Sequence, residues 1–178
     1  LEHDAQGTAS RQRDLYVDLD SRIQSLEQNL QSRAVSPAPV AGMTALPVPG
    51  GNDRANYEVA FELLKQQRYE AAGAAFAQFL ATFPDSQLAD NAQYWLAESS
   101  YVTDQFEEAL AQFQVVLSAY PRSRKIPDAL LKIGYSYYEL EQWDGARSAL
   151  QTVRDEHPDS TAARLAEQRL KRMDDEGH

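Results

Sequence analysis

Apolar positions along the 178-residue chain follow two different rhythms. Between residues 11 and 30, Tyr16, Leu19, Ile23, Leu26 and Leu30 alternate spacings of three and four, the a and d positions of a heptad. This predicts a coiled-coil helix over 11–32 whose seam is an oligomerisation surface. Arg22 at g and Glu27 at e stand five apart, where charges pair between parallel strands. Leu15 at g widens the apolar face towards three strands, which favours a homotrimer. The same pattern also suits an amphipathic helix folded back on the rest of the chain. At about 20 residues the coil is marginal until it packs.

From Asn52 to Met173 the apolar pattern instead returns every 37 residues. Tyr69, Phe106 and Trp143 fall in register, as do Ala72, Ala109 and Ala146, and Phe76, Phe113 and Leu150. So do Phe83-Pro84-Asp85-Ser86, Tyr120-Pro121-Arg122-Ser123 and His157-Pro158-Asp159-Ser160. A period of this length marks stacked supersecondary units. Each unit reads as two helices, at 54–67 and 69–83, 88–103 and 106–120, then 127–140 and 143–157. Asn52 and Asp53 suit the first helix start, and Pro127 is tolerable in a first turn. Ser160 caps a last helix whose outer face, with Arg164, Glu167, Lys171 and Arg172, can end the stack in water.

Within the third unit, Ile133, Gly134, Tyr137, Trp143, Ala146, Leu150, Val153 and Pro158 alternate small and large residues, so that two antiparallel helices can interlock. This pattern resembles the tetratricopeptide repeat, in three copies over 52–158, with 161–173 standing where a fourth first helix would be. The ordinary repeat is about 34 residues long; here three extra residues follow each proline and lengthen the loop that leads into the next helix. The expected fold is all-α: a repeat domain over 52–173 made of three repeats and a capping helix, then a fraying tail at 174–178. The resemblance implies that the first helices line a concave groove for a protein partner. The register places Tyr57, Phe61 and Leu64, then Tyr94, Glu98 and Tyr101, then Leu131, Tyr135 and Tyr138 on that lining. Tyrosine combines a large apolar body with a hydrogen-bonding tip, which suits an anchor, although the same residues also suit packing between repeats. The Lys and Asn residues with which chaperone-binding members clamp a terminal carboxylate have no counterparts here, so a chaperone tail is not the expected ligand.

Composition narrows the remaining classes. With 43% hydrophobic residues the chain can hold one globular domain plus an appendage. A net charge of -10 and a pI near 4.7 argue against a phosphate-tracking surface. The absence of cysteine excludes disulfides, thiolate catalysis and Cys-ligated zinc. Residues 1–10 are a polar lead-in. Residues 33–51 hold Pro37, Pro39, Pro47 and Pro49 with Gly42, Gly50 and Gly51 and form a semi-stiff linker; a proline-rich ligand is the alternative, but no basic residue flanks its core. No stretch approaches the roughly 20 apolar residues of a membrane span. The start lacks the apolar core of a signal peptide, so an exported form would have lost it from a precursor.

Candidate chemistry is sparse. His157 takes the place of Phe83 and Tyr120 and reads as packing; His3 and His178 are terminal. Glu107-Glu108 opens a helix, where negative charge is favoured, and Asp174-Asp175-Glu176 falls in the tail. No Gly-rich phosphate loop, metal-spaced cluster or GxSxG occurs, so no catalytic residue, metal or cofactor is expected. Charge is uneven: residues 53–121 hold 3 basic and 10 acidic residues, against 10 and 11 over 122–178, so the first half should attract a basic partner. Arg122, Arg124 and Lys125 form one basic cluster that reads as a solvated loop.

Coil, proline-rich linker and repeats carrying Asn91-Ala92-Gln93-Tyr94-Trp95-Leu96, Tyr120-Pro121-Arg122-Ser123 and Pro127-Asp128-Ala129-Leu130-Leu131-Lys132-Ile133-Gly134 are together similar to one family. They resemble the periplasmic TolA-binding proteins of the Tol-Pal system, the cell division coordinator CpoB family, and the final Ala166-Glu167-Gln168-Arg169-Leu170 helix fits too. The resemblance implies a periplasmic, non-enzymatic, trimeric adaptor. Its implied partners are TolA and a bifunctional peptidoglycan synthase, through which it would couple envelope constriction to wall synthesis in division. A scaffold of outer-membrane protein assembly and a cell-wall-active enzyme are the alternatives. The first would need a lipidated N-terminal cysteine, lost by trimming on that reading, and the coil also tells against it.

Overall fold

The 37-residue period appears in three dimensions as a run of helix pairs. A computed structural model describes residues 51–178, in which the chain forms seven α-helices and no strand. These are α1 (Asp53–Lys65), α2 (Tyr69–Thr82), α3 (Ala89–Val102), α4 (Phe106–Ala119), α5 (Ile126–Glu139), α6 (Trp143–Glu156) and α7 (Thr161–Glu176). The expected lead-in, coil seam (Tyr16, Leu19, Ile23, Leu26 and Leu30) and linker up to residue 50 lie outside the described residues. Each helix packs on the next, and α5 also meets α7, so the all-α repeat stack with a capping helix is what forms. Among the described residues no helix is long and apolar enough to cross a membrane.

The core repeats with the sequence. Ala72, Phe76 and Phe79 on α2 share one helix face, and Ala109, Phe113 and Val116 on α4, then Ala146, Leu150 and Val153 on α6, take the same places; all are fully buried. Alanine lets the paired helix approach, and the large residues fill the space beside it, each contributing about 1.5–3 kcal/mol of burial. Gly134 has no room for a side chain: a Cβ there would stand 2.7 Å from Leu150 Cγ. The equivalent positions in the first two copies, Ala60 and Ala97, are fully buried alanines.

Each pair turns on a residue with left-handed backbone: Gln67 (φ 59°), Asp104 (φ 60°) and Glu141 (φ 57°). In all three turns the next amide reaches back to close the helix, Arg68 to Leu63 O, Gln105 to Ser100 O and Gln142 to Tyr137 O, each at 2.9 Å. That six-to-one closure ordinarily selects glycine, because a Cβ in this region costs about 1–2 kcal/mol. Replacing Glu141 by glycine is therefore expected to stabilise the domain by about 0.5–1 kcal/mol, the gain reduced by the freer unfolded chain. Urea unfolding checks this, and a loss of stability would mean that the Glu141 side chain has a role of its own.

The three extra residues per repeat have a visible use. Ser86 donates its hydroxyl to Asp53 Oδ2 (2.6 Å), and Ser123 does the same to Asp90 Oδ2 (2.5 Å), tying each lead loop to the start of the preceding repeat. In the third copy Pro127 stands where that aspartate would be. Ser160 instead accepts from the Ala163 amide at 3.0 Å and caps α7, just as Asn52 accepts from Ala55 and caps α1. Helix α7 runs to Glu176, three residues past the expected end. Gly177 supplies a left-handed stop (φ 84°), and Arg172 pairs with Glu176 one turn on, so the acidic run is helical.

Candidate functional site

The nine residues expected on the groove lie on the first helices of the three pairs, α1, α3 and α5, as the register requires. Their exposure differs from that of an open aromatic lining. Tyr57, Phe61, Leu64, Tyr94, Glu98, Tyr101, Leu131 and Tyr135 are all buried, and Tyr138 alone keeps partial exposure. Their rings also join helices. Tyr57 sets its edge against Phe76 and Phe79, Phe61 meets Trp95 of the next repeat, and Tyr94 meets Phe113. Tyr101 and Tyr138 stand edge-on to Phe106 and Trp143 at 5.5 and 5.2 Å.

Two buried lysines were not legible as such. Lys132 of α5 places Nζ 2.9 and 3.0 Å from the two carboxylate oxygens of Glu98 on α3, with both side chains almost fully buried, and lies 4.9 Å above the Tyr101 ring. This ion pair bridges the second and third repeats. Lys125, expected in a solvated basic loop, is only 4% exposed: its ammonium sits 4.9 Å from the Tyr94 ring and 5.3 Å from Trp95. An aromatic face attracts a cation and so draws the lysine inward, leaving Arg122 and Arg124 as the exposed members of that cluster.

Charge and aromatic surface converge where α5, α6 and α7 meet. Arg169 lies 4.3 Å over Tyr135 and 4.6 Å over Tyr138. The Tyr138 hydroxyl donates to Glu176 Oε2 (2.5 Å), and Arg172 holds the other Glu176 oxygen at 2.7 Å. Arg147 pairs with Asp174 at 2.8 Å and donates to the His178 carbonyl oxygen, while the His178 ring stacks on Trp143 at 3.8 Å. The Tyr138 hydroxyl and then Arg172 hold the Glu176 carboxyl below its ordinary range. Burial, and then Glu176, push the Tyr138 phenol up. Since the Glu176 carboxylate is favoured in the fold, its contact adds stability above the ordinary carboxylate range and loses it as pH falls through the lowered value. No signal for this cluster stood out in the sequence, because the acidic run read as tail.

Among the described residues no group of His, Asp and Glu is placed to hold a metal ion. Glu107 and Glu108 are exposed in the first turn of α4, and His157 follows α6, where its carbonyl accepts from Ser160.

Comparison with known proteins bears on the fold. Two family models, both described as tetratricopeptide repeat, match residues 60–124 and 128–160, together more than half of the chain. The tetratricopeptide-repeat domain of Sgt2 from Aspergillus fumigatus superposes with a TM-score of 0.59 at 16% identity, over 77% of this chain and 87% of that one. Comparison with curated proteins finds no match. With the helix pairs in register, the matches reach into each of the three pairs, and the chain belongs to the tetratricopeptide-repeat family, whose stacks act as protein-interaction scaffolds.

Proposed function

We propose that the protein is a non-enzymatic periplasmic adaptor of the Tol-Pal system, in which the repeats take TolA and a bifunctional peptidoglycan synthase and the seam over 11–32 assembles a trimer. In this role it coordinates outer-membrane constriction with wall synthesis during division. The observation that carries the reading is the order of sequence patterns in one chain: a heptad spacing, a proline-rich stretch, then three repeats bearing the Asn91–Leu96 and Pro127–Gly134 sequences. The partner's anchor on this reading is Tyr138, the one expected lining residue with solvent access, beside Tyr135 under the same Arg169 guanidinium. The acidic surplus over 53–121 suits a Lys-rich helical segment.

Stopped-flow mixing of the intact chain with purified TolA at 50 mM and 500 mM salt tests this. The expected association rate falls about tenfold or more with salt, because the steering is screened beyond about 10 Å at 0.1 M. Absence of binding at either salt would remove TolA as the partner.

A further inference from the structure

We propose that residues 174–178 form a clasp that covers Tyr138 and Trp143 in cis and must open before a partner seats there. This inhibitory contact rests on the reading of Tyr138 as the partner's anchor.

The helix that carries the clasp is held by other means. Ala162, Ala163, Ala166, Leu170 and Met173 bury one face of α7, and Met173 is the last buried residue of the chain. Beyond it the chain is fixed by four surface contacts to two other helices: Glu176 to the Tyr138 hydroxyl on α5, and, on α6, Asp174 and the His178 backbone oxygen to Arg147 and the His178 ring to Trp143. The Asp174 side chain is 65% exposed and that of Arg147 32%. Ion pairs this exposed stabilise weakly, so the last turn and a half can open while the rest of α7 stays docked. Closure matters because of what it touches. It occupies the tyrosine hydroxyl, lays a ring over the indole and engages the Arg147 guanidinium. An arriving segment would have to take these groups from the clasp, so its apparent affinity is reduced by the fraction of molecules that stand open.

Glu176→Gln and Arg147→Gln in the full chain loosen the clasp without removing either ring. Amide hydrogen exchange over 174–177 should become about tenfold faster in both, with 161–170 unchanged, a factor equal to about 1.4 kcal/mol. Purified TolA should bind Glu176→Gln about threefold tighter or better than wild type. Unchanged exchange would show that these contacts do not hold the segment and would overturn the clasp. Faster exchange with unchanged or weaker TolA binding would overturn its inhibitory role. If TolA binds neither protein, the adaptor reading fails and the inhibitory role with it, whereas exchange still decides whether the clasp exists.

Discussion

Replacing Lys132 by methionine is expected to lower the unfolding free energy by about 3–5 kcal/mol, a large part of the stability of a domain this size. The substitution keeps an unbranched four-atom stem and removes the ammonium that touches both oxygens of Glu98, whose side chain is 1% exposed. A buried carboxylate deprived of such a partner carries the full cost of its desolvation. Pairing Lys132→Met with Glu98→Leu should return most of the loss, because apolar groups of similar size fill the space without needing a counter-charge. A double-mutant cycle read by urea unfolding should therefore give a coupling well above 1 kcal/mol. Additive effects would mean that the two residues are stabilised independently. The pair would then not be what locks the second repeat to the third.

Much of this architecture could be read from the chain. The 37-residue period located all three pairs, and their observed ends lie within two residues of expectation: 54–67 became Asp53–Lys65, and 88–103 became Ala89–Val102. Caps at Asn52 and Ser160 were legible because each side chain that accepts the amide stands immediately before its helix. The turns at Gln67, Asp104 and Glu141 were not, since none carries the glycine that ordinarily announces a left-handed stop. Nor was the partnership of Glu98 with Lys132, which depends on how two helices 34 residues apart are rotated against each other. The lining residues show the limit most clearly. Spacing put all nine on the right helices, but an aromatic ring satisfies packing between repeats as well as it satisfies a partner, and only the packed neighbours distinguish Tyr101 from Tyr138. The acidic run read as a tail because its stop, Gly177, lies one residue beyond it and its ligands are an arginine and a tyrosine on other helices.

That difference in exposure separates the two tyrosines experimentally. Tyr101 is 1% exposed, with its ring edge-on to Phe106 and beneath Lys132, so Tyr101→Ala should lower stability by about 3–5 kcal/mol, as other large aromatic truncations in a core do. Any loss of binding in that variant should follow from its unfolding and vanish at a temperature where it is still folded. Tyr138 is partly exposed and its hydroxyl faces Glu176, so Tyr138→Ala should cost only about 1 kcal/mol of stability. As an interface anchor it should cost roughly 2 kcal/mol or more of affinity, about thirtyfold in Kd.

Calorimetric titration of TolA into the wild type and into Tyr138→Ala, with melting curves recorded alongside, tests the adaptor reading most directly. The expected result is a folded variant with nearly the wild-type melting temperature and a Kd about thirtyfold higher. Wild-type affinity in a well-folded Tyr138→Ala protein would contradict it and place the binding surface elsewhere on the chain.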